Sequence, residues 1–371
     1  MQLDDRLEPV LKIARDNAAY VDRAGEYPAA AVDALRSSGL LGLTLPEDVG
    51  GLGGGPVELV EVLSALAGAC GSTAMIYLMH VSAAMSVAAA PPAALPDVVE
   101  DLAAGRALGT LAFSETASRS HFWAPMSRAV ADGDGIRLRV DKSWVTSAGR
   151  ADVYVVSTGS VDDNTAVDVY AVPAAAGAQV TGTFTGMGLR GNGSAPMAFD
   201  VDLPPGHRLG APGSGFGLMT DVVMPWFNLG NAAVSIGLAG ASVDAAVAHC
   251  TRARLEHVGS SLAELPTVRA RLARMSLALG AQRAYLAAAA ASIAAPTDET
   301  GLYVLGVKAA ANDAALTITD EALRVCGGAA YSAQLGVDRH FRDARAGHVM
   351  APTADVLYDL YGKAITGQPL F

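Results

Sequence analysis

The chain is poor in cysteine, in aromatic side chains and in charge, and basic residues are in the minority. Its 371 residues hold three cysteines, Cys70, Cys250 and Cys326, widely spaced and without a CxxC pair. That excludes a zinc ribbon or a dithiol redox motif. It also leaves no basis for a disulfide framework, so a reducing, cytoplasmic compartment is the expectation. Charged residues make up 17% and aromatics 6%, against 51% hydrophobic residues. Such a composition excludes a disordered chain and leaves Ala, Val and Leu to supply the core. With 26 Lys and Arg against 37 Asp and Glu, the net charge is −11. A nucleic-acid coat is excluded, because phosphate neutralisation needs clustered cations. No charge-free apolar run of about 18 residues appears, so no spanning helix and no membrane partner is expected. The opening MQLDDRLEPV lacks the apolar segment of a signal peptide. HExxH and GxxxxGK[ST] are both missing and the seven histidines are scattered, so no metal site is expected.

What is present divides into three stretches. Residues 1–107 carry apolar positions at helical spacing, such as Leu7, Val10, Leu11 and Ala14, then Ala31, Leu35 and Leu40. The Gly/Pro-rich LTLPEDVGGLGGGP breaks this run, and Pro91 and Pro92 end the helix that follows. Residues 108–206 switch to short β-branched segments between Gly and Asp turns, with ADGDGIRLRV reading as a hairpin. Residues 207–371 return to long Ala-rich helices, over about 228–252, 263–295, 301–325 and 353–366, joined by small connectors as in a helical bundle. Length alone favours two or three domains. GLGGGP at Gly51 to Pro56 follows no strand, so it is not a dinucleotide loop, and GSGFG at Gly213 to Gly217 reads as a lead into the bundle.

Seven strings occur in order: LRSSGLLGLTLPEDVGGLGG, GSTAMIYLMH, LAFSETASRSHF, KSWVTSAGRAD, GMGLRGNGSAPMAFDVDLP, RVCGGAAYS and RHFRDARAGHVMAPTADVL. Together they resemble the acyl-CoA dehydrogenase family over essentially the whole chain. The resemblance implies an α+β fold with an N-terminal helical domain, a middle β-barrel-like domain and a C-terminal four-helix bundle. It implies bound FAD, a small-molecule acyl thioester as substrate and a homotetramer, and it leaves the electron acceptor open. Trp144 and Thr146 match positions that flank the flavin ring and bond near its N5. Ser114 matches a hydroxyl at the pyrimidine end. Gly327 and Gly328 match a pair that admits the FAD adenosine of a neighbouring subunit, where close backbone approach requires glycine. Thr353 and Asp355 match further cofactor contacts, and Arg254 lies one position from an arginine of the FAD diphosphate site, with Val258 in place of the usual Phe. Ser120 matches a contact to the pantetheine or phosphate part of the ligand. The loop around it carries Arg119 and His121, more basic than the family's usual Gly-Ser-Asp, and His121 and Phe227 join it as candidate substrate contacts.

The family's chemistry needs a carboxylate to take the α-proton of the thioester while the β-hydrogen leaves as hydride. Ala351 stands where the loop glutamate belongs, and an alanine methyl accepts no proton. Its backbone N–H survives as a donor for the thioester carbonyl. Met224, Pro225, Trp226, Phe227 and Asn228 fill the alternative base position, again without a carboxylate, and Asp221 one turn earlier fits a helix cap better. His80, at the end of a helix that the resemblance places at the pocket floor, is the leading candidate for a relocated base, with His348 as a second. The leading expectation is therefore α,β-dehydrogenation of an acyl thioester or analogue with a non-standard base. The alternatives are a substrate that needs no strong base, a flavin monooxygenase of the same fold, and a non-catalytic flavin-binding paralogue.

Overall fold

The computed structural model describes residues 2–118, 121–257 and 259–371. Five helices open the chain: α1 (Leu3–Ala24), α2 (Ala29–Ser38), α3 (Pro56–Ala69), α4 (Gly71–Ala89) and α5 (Val98–Ala103). Helix α1 starts where the Asp5 carboxylate accepts the Gln2 N–H at 3.2 Å and stops at Gly25, whose left-handed backbone closes the last turn. Helix α3 starts at a proline in its first position, with Glu58 accepting the Gly55 N–H at 2.8 Å. The centre is α4, an apolar helix buried on nearly every side.

The middle segment is two open sheets. Strands β1 (Gly109–Ala112), β2 (Val130–Asp132), β3 (Gly135–Val145), β4 (Val153–Gly159), β5 (Val167–Pro173), β6 (Gln179–Val180) and β7 (Ala195–Leu203) pair in the orders β1-β4-β5 and β2-β3-β7-β6. The expected hairpin is β2–β3, with Asp132 opposite Gly135. As expected of a barrel-like middle segment, the two sheets share one core of Leu138, Val140, Tyr154, Val156, Met197 and Phe199. Strands β3 and β7 alternate and bury one face on this core, whereas β4 and β5 are buried on both faces, with Val153, Val155, Val169 and Ala171 turned to the helical core.

The C-terminal segment begins with a short helix, α6 (Gly215–Leu218), followed by a single π-turn over Met219–Val223 that runs into α7 (Met224–Arg252). A two-residue ladder, β8 (Arg254–Leu255) with β9 (Ser260–Ser261), links α7 to α8 (Pro266–Ala294). Then follow α9 (Thr300–Cys326), the single turn α10 (Gly328–Tyr331), α11 (Val337–Val349) and α12 (Ala354–Ile365). Helices α7 and α9 lie side by side and parallel: Asn228 donates to the Val304 carbonyl, Ser235 to Asn312 further along, and the Cys250 and Cys326 thiols meet at the far end. Helix α11 covers the RDAR stretch, whose periodicity is masked by its many charges.

Among the described residues three helices are long and apolar enough to cross a membrane, contrary to the expectation from uncharged runs. The scattered Ser, Thr and Gly that interrupt those runs do not lower the mean hydropathy enough. The stretches Gly71–Ala89 and Gly215–Arg252 are largely buried within the protein, whereas α8 buries only 22% of its apolar window.

Candidate functional site

The three segments are stapled together by polar side chains, and these staples surround the candidate site. Asp343 of α11 accepts the Leu189 N–H at 2.6 Å, and Arg342 beside it forms a fork onto Asp22 of α1 and reaches Asp338 and the Met187 carbonyl. Ser72 accepts the Gly191 N–H, and Tyr27 meets Ser147 at 3.1 Å. The loop 186–194 is thereby held by both helical segments. Burial raises Asp343 to about 6, while the Leu189 N–H pulls the other way.

Next to that loop, β3 carries a bulge between Lys142 and Val145. Trp144 sits in it with a left-handed backbone (φ 55°), and Ser147 (φ 56°) repeats the feature three residues on. Non-glycine residues adopt this region at a cost, and bulges re-aim side chains. The consequence here is that Trp144 swings out of the strand's inner face and lies 56% exposed, stacked on Phe184 at 3.9 Å. Below the bulge, Lys142 is fully buried and pairs with Glu115 at 2.6 Å, which in turn accepts the Met126 and Ser127 N–H groups. This pair fixes the strand on which the bulge is built. Ser114 lies against it, its carbonyl accepting the Ser143 N–H at 2.9 Å. Thr146 is nearly buried, its hydroxyl 3.3 Å from that of Ser194.

A cleft of about 500 Å³ opens between the middle segment and α12, lined by His121, Trp123, Phe216, Asp355, Asp359 and Phe371, among others. Trp123 stands edge-on to Phe371 and His121. The structure thus brings His121 and Asp355 to one cleft. Thr353 caps the start of α12, with its carbonyl accepting the Leu357 N–H. Ala351 is half-buried in the loop between α11 and α12. Ser120, with Arg119, and Val258 lie outside the described residues.

Two expectations need correction. His80 is fully buried, and both ring nitrogens are used: Nε2 is 3.0 Å from the Leu41 carbonyl, and Nδ1 accepts the Gly109 N–H at 3.0 Å. With Nδ1 an acceptor, Nε2 carries the proton and donates it, so no lone pair is left for a substrate. Burial holds the ring down to about 4. His80 is a structural bridge between the turn at Leu40–Gly42 and β1. Phe227 is likewise 7% exposed and sits in the bundle core with Met224 and Leu229, so it offers no wall to an open cleft. His348 faces Asp313, with Nδ1 at 3.3 Å, and Asp221 is exposed and bonded to the Thr220 hydroxyl.

Arg254, Gly327 and Gly328 sit elsewhere. They follow the C-termini of the parallel helices α7 and α9, whereas the Ala351 loop contacts Asn231 and Lys308 near the other end. From Lys308 to Gly327 along α9 is roughly 28 Å at 1.5 Å per residue. An added Cβ at Gly327 or Gly328 meets nothing within 4 Å, and Tyr331 beside them is 86% exposed. One chain therefore presents the candidate residues as two separate sets. Sequence reading missed Lys308, buried under the Ala351 loop, and Phe184, which faces Trp144. A buried lysine inside an apolar helical pattern was the available signal for the first.

Helical, sheet and helical-bundle segments in this order, with a tryptophan turned outward by the β3 bulge, define a three-part fold. Models of the acyl-CoA dehydrogenase N-terminal, middle and C-terminal domains match residues 10–105, 110–201 and 213–366. The chain belongs to the acyl-CoA dehydrogenase family. It is 27% identical over 353 residues to a probable acyl-CoA dehydrogenase, YngJ, of Bacillus subtilis, covering 92% of this chain and 90% of that one. The human mitochondrial short-chain specific acyl-CoA dehydrogenase is 28% identical over 345 residues, covering 91% and 83%. The solved butyryl-CoA dehydrogenase of Megasphaera elsdenii superposes with a TM-score of 0.90 at 24% identity, covering 99% of both chains.

Proposed function

We propose that the protein is an FAD-dependent oxidoreductase that acts on an acyl thioester or a close analogue, by α,β-dehydrogenation. The observation that carries the reading is Trp144, turned outward by the β3 bulge beside Ser114 and Thr146, so that an aromatic face is exposed at considerable backbone cost. These residues fit a flat tricyclic ring. Trp144 takes its face and Ser114 its polar edge, while the Thr146 hydroxyl is buried against Ser194. When bound, FAD supplies a two-electron hydride acceptor. In the reaction the Cα–H bond breaks to leave a proton, the Cβ–H hydrogen departs with its electron pair, and the Cα=Cβ bond forms. The Ala351 N–H polarises the thioester carbonyl and acidifies the α-proton. The proton acceptor is then a group other than the side chain of residue 351.

Gly327, Gly328 and Arg254 serve the adenosine and diphosphate end of a second copy's cofactor in a homotetramer. Their distance from the Ala351 loop and the poorly buried apolar face of α8 support this. The alternative reading, a flavin monooxygenase of the same fold, is favoured by one observation. His80 is locked in the core, and Ala351 provides no base.

Anaerobic titration of the FAD-loaded protein with acyl-CoA thioesters of graded length tests the two. Bleaching of the oxidised-flavin band by one chain class is the expected result. A flavin that stays oxidised with every thioester, yet reacts with oxygen once reduced to give a hydroxylated product, would overturn the dehydrogenase reading in favour of the alternative.

A further inference from the structure

Lys308 lies on α9 with no exposed surface, and its ammonium donates to three main-chain carbonyls: Gly347 at 3.0 Å, Met350 at 3.0 Å and Pro352 at 2.7 Å. The first belongs to the end of α11, and the other two flank Ala351. Nearby, Asn231 approaches the Met350 sulfur at 3.6 Å. Gly347 lies so close to the side-chain oxygens of Asn312, Ser235 and Asn231 that an added Cβ would stand 2.7–3.1 Å from them. The inner wall of the loop is therefore fixed by a buried polar cluster with a cation at its centre.

The direction of the Ala351 amide follows from this. The peptide joining Met350 to Ala351 is trans, and in a trans peptide C=O and N–H point in opposite directions. The Met350 oxygen points into the bundle toward the ammonium, so the Ala351 N–H points out of it. That N–H donates to no protein acceptor among the described residues. A cation on the carbonyl of an amide also draws electron density from its nitrogen and strengthens the N–H as a donor.

We propose that Lys308 is a positioning residue that aims and polarises the Ala351 N–H toward the carbonyl oxygen of a bound thioester. The proposal rests on the acyl-thioester reading above. It gives the carboxylate-free loop a definite task, which is to stabilise negative charge on the thioester oxygen while proton transfer is left to another group. A lysine that only capped α11 would need the Gly347 and Met350 carbonyls; the Pro352 carbonyl, its shortest contact, lies beyond that helix end.

The test compares butyryl-CoA with S-butyl-CoA, a thioether of equal chain length without the carbonyl, on FAD-loaded wild type and Lys308→Met. Butyryl-CoA affinity is expected to fall roughly tenfold in the variant, with S-butyl-CoA affinity unchanged. The infrared carbonyl band of bound 13C-labelled butyryl-CoA is expected below its free position in wild type and close to it in the variant, with partial return in Lys308→Arg. Equal weakening of both ligands, or a carbonyl band at the wild-type position in the variant, would overturn the proposal and leave Lys308 a structural cap. A wild-type band at the free position would overturn it without any variant. If wild type binds neither compound, the acyl-thioester reading itself falls, and this inference with it.

Discussion

Replacing His80 separates a structural histidine from a catalytic one. In His80→Ala the Gly109 N–H and the Leu41 carbonyl are left buried without partners, and each orphaned group costs about 1–3 kcal/mol. The ring also leaves a cavity, so the total loss is about 3–6 kcal/mol. His80→Asn restores an acceptor near the Nδ1 position and recovers part of that loss. Amide exchange at Gly109 reports the bridge directly, and it accelerates in both variants.

The pH dependence is a second signature. An unfolded histidine takes up its proton near 6.5, whereas the buried ring stays neutral down to about 4. Between those values the unfolded chain binds more protons, so stability is present at pH 7 and declines as pH falls through this window. At 1.36 kcal/mol per pK unit, His80 contributes about 3 kcal/mol to that decline. His340, pushed down to about 3 by burial, acts in the same direction, and Asp343, raised to about 6, acts oppositely. Both are common to wild type and variant and cancel in the comparison. Urea unfolding of wild type and His80→Asn at pH 7 and at pH 4.5 is the assay, with the stability gap expected to narrow at the lower pH. A His80→Asn protein of wild-type stability at both values, with FAD bound but no flavin reduction by a thioester that reduces wild type, would refute the structural assignment and reinstate His80 as base.

Trp144→Ala is expected to weaken FAD affinity about fivefold, the equivalent of about 1 kcal/mol for one aromatic face; unchanged flavin affinity by fluorescence titration would remove Trp144 from the site. Gly328→Leu, where the added side chain begins in open space, should leave circular dichroism unchanged while weakening FAD retention or assembly, measured by light scattering; an intact tetramer with full flavin content would contradict the two-copy site. Arg342→Met breaks the partly buried fork onto Asp22 and should lower stability by about 2–4 kcal/mol in urea, with a loss below 0.5 kcal/mol counting against the staple.

The order of segments was legible because each type has its own period. Leu7, Val10, Leu11 and Ala14 are all buried on one side of α1, and the alternation along β3 is visible in RLRV. The division of the strands between two sheets was not legible, since alternation marks an inner face without naming a strand's partners. The site was harder to read for a different reason. Trp144 was recognisable as a residue, but its outward orientation depends on a bulge and a left-handed backbone that no periodicity encodes. His80 misled because a histidine inside an apolar helix reads the same whether it faces a ligand or two backbone groups, and only the positions of Leu41 and Gly109 decide. Lys308 was overlooked for the converse reason: within a helical pattern a lysine defaults to the surface, and its burial requires three carbonyls supplied from about 40 residues further along the chain. Gly327 and Gly328 are a different case, because only the resemblance assigned them to the cofactor of a neighbouring subunit. Their motif lies in the same chain as Trp144 and Asp355, yet the parallel run of α7 and α9 carries it to the opposite end of the bundle. A linear order of motifs cannot distinguish residues that share a site within one molecule from residues that meet only when a second copy brings its own set across.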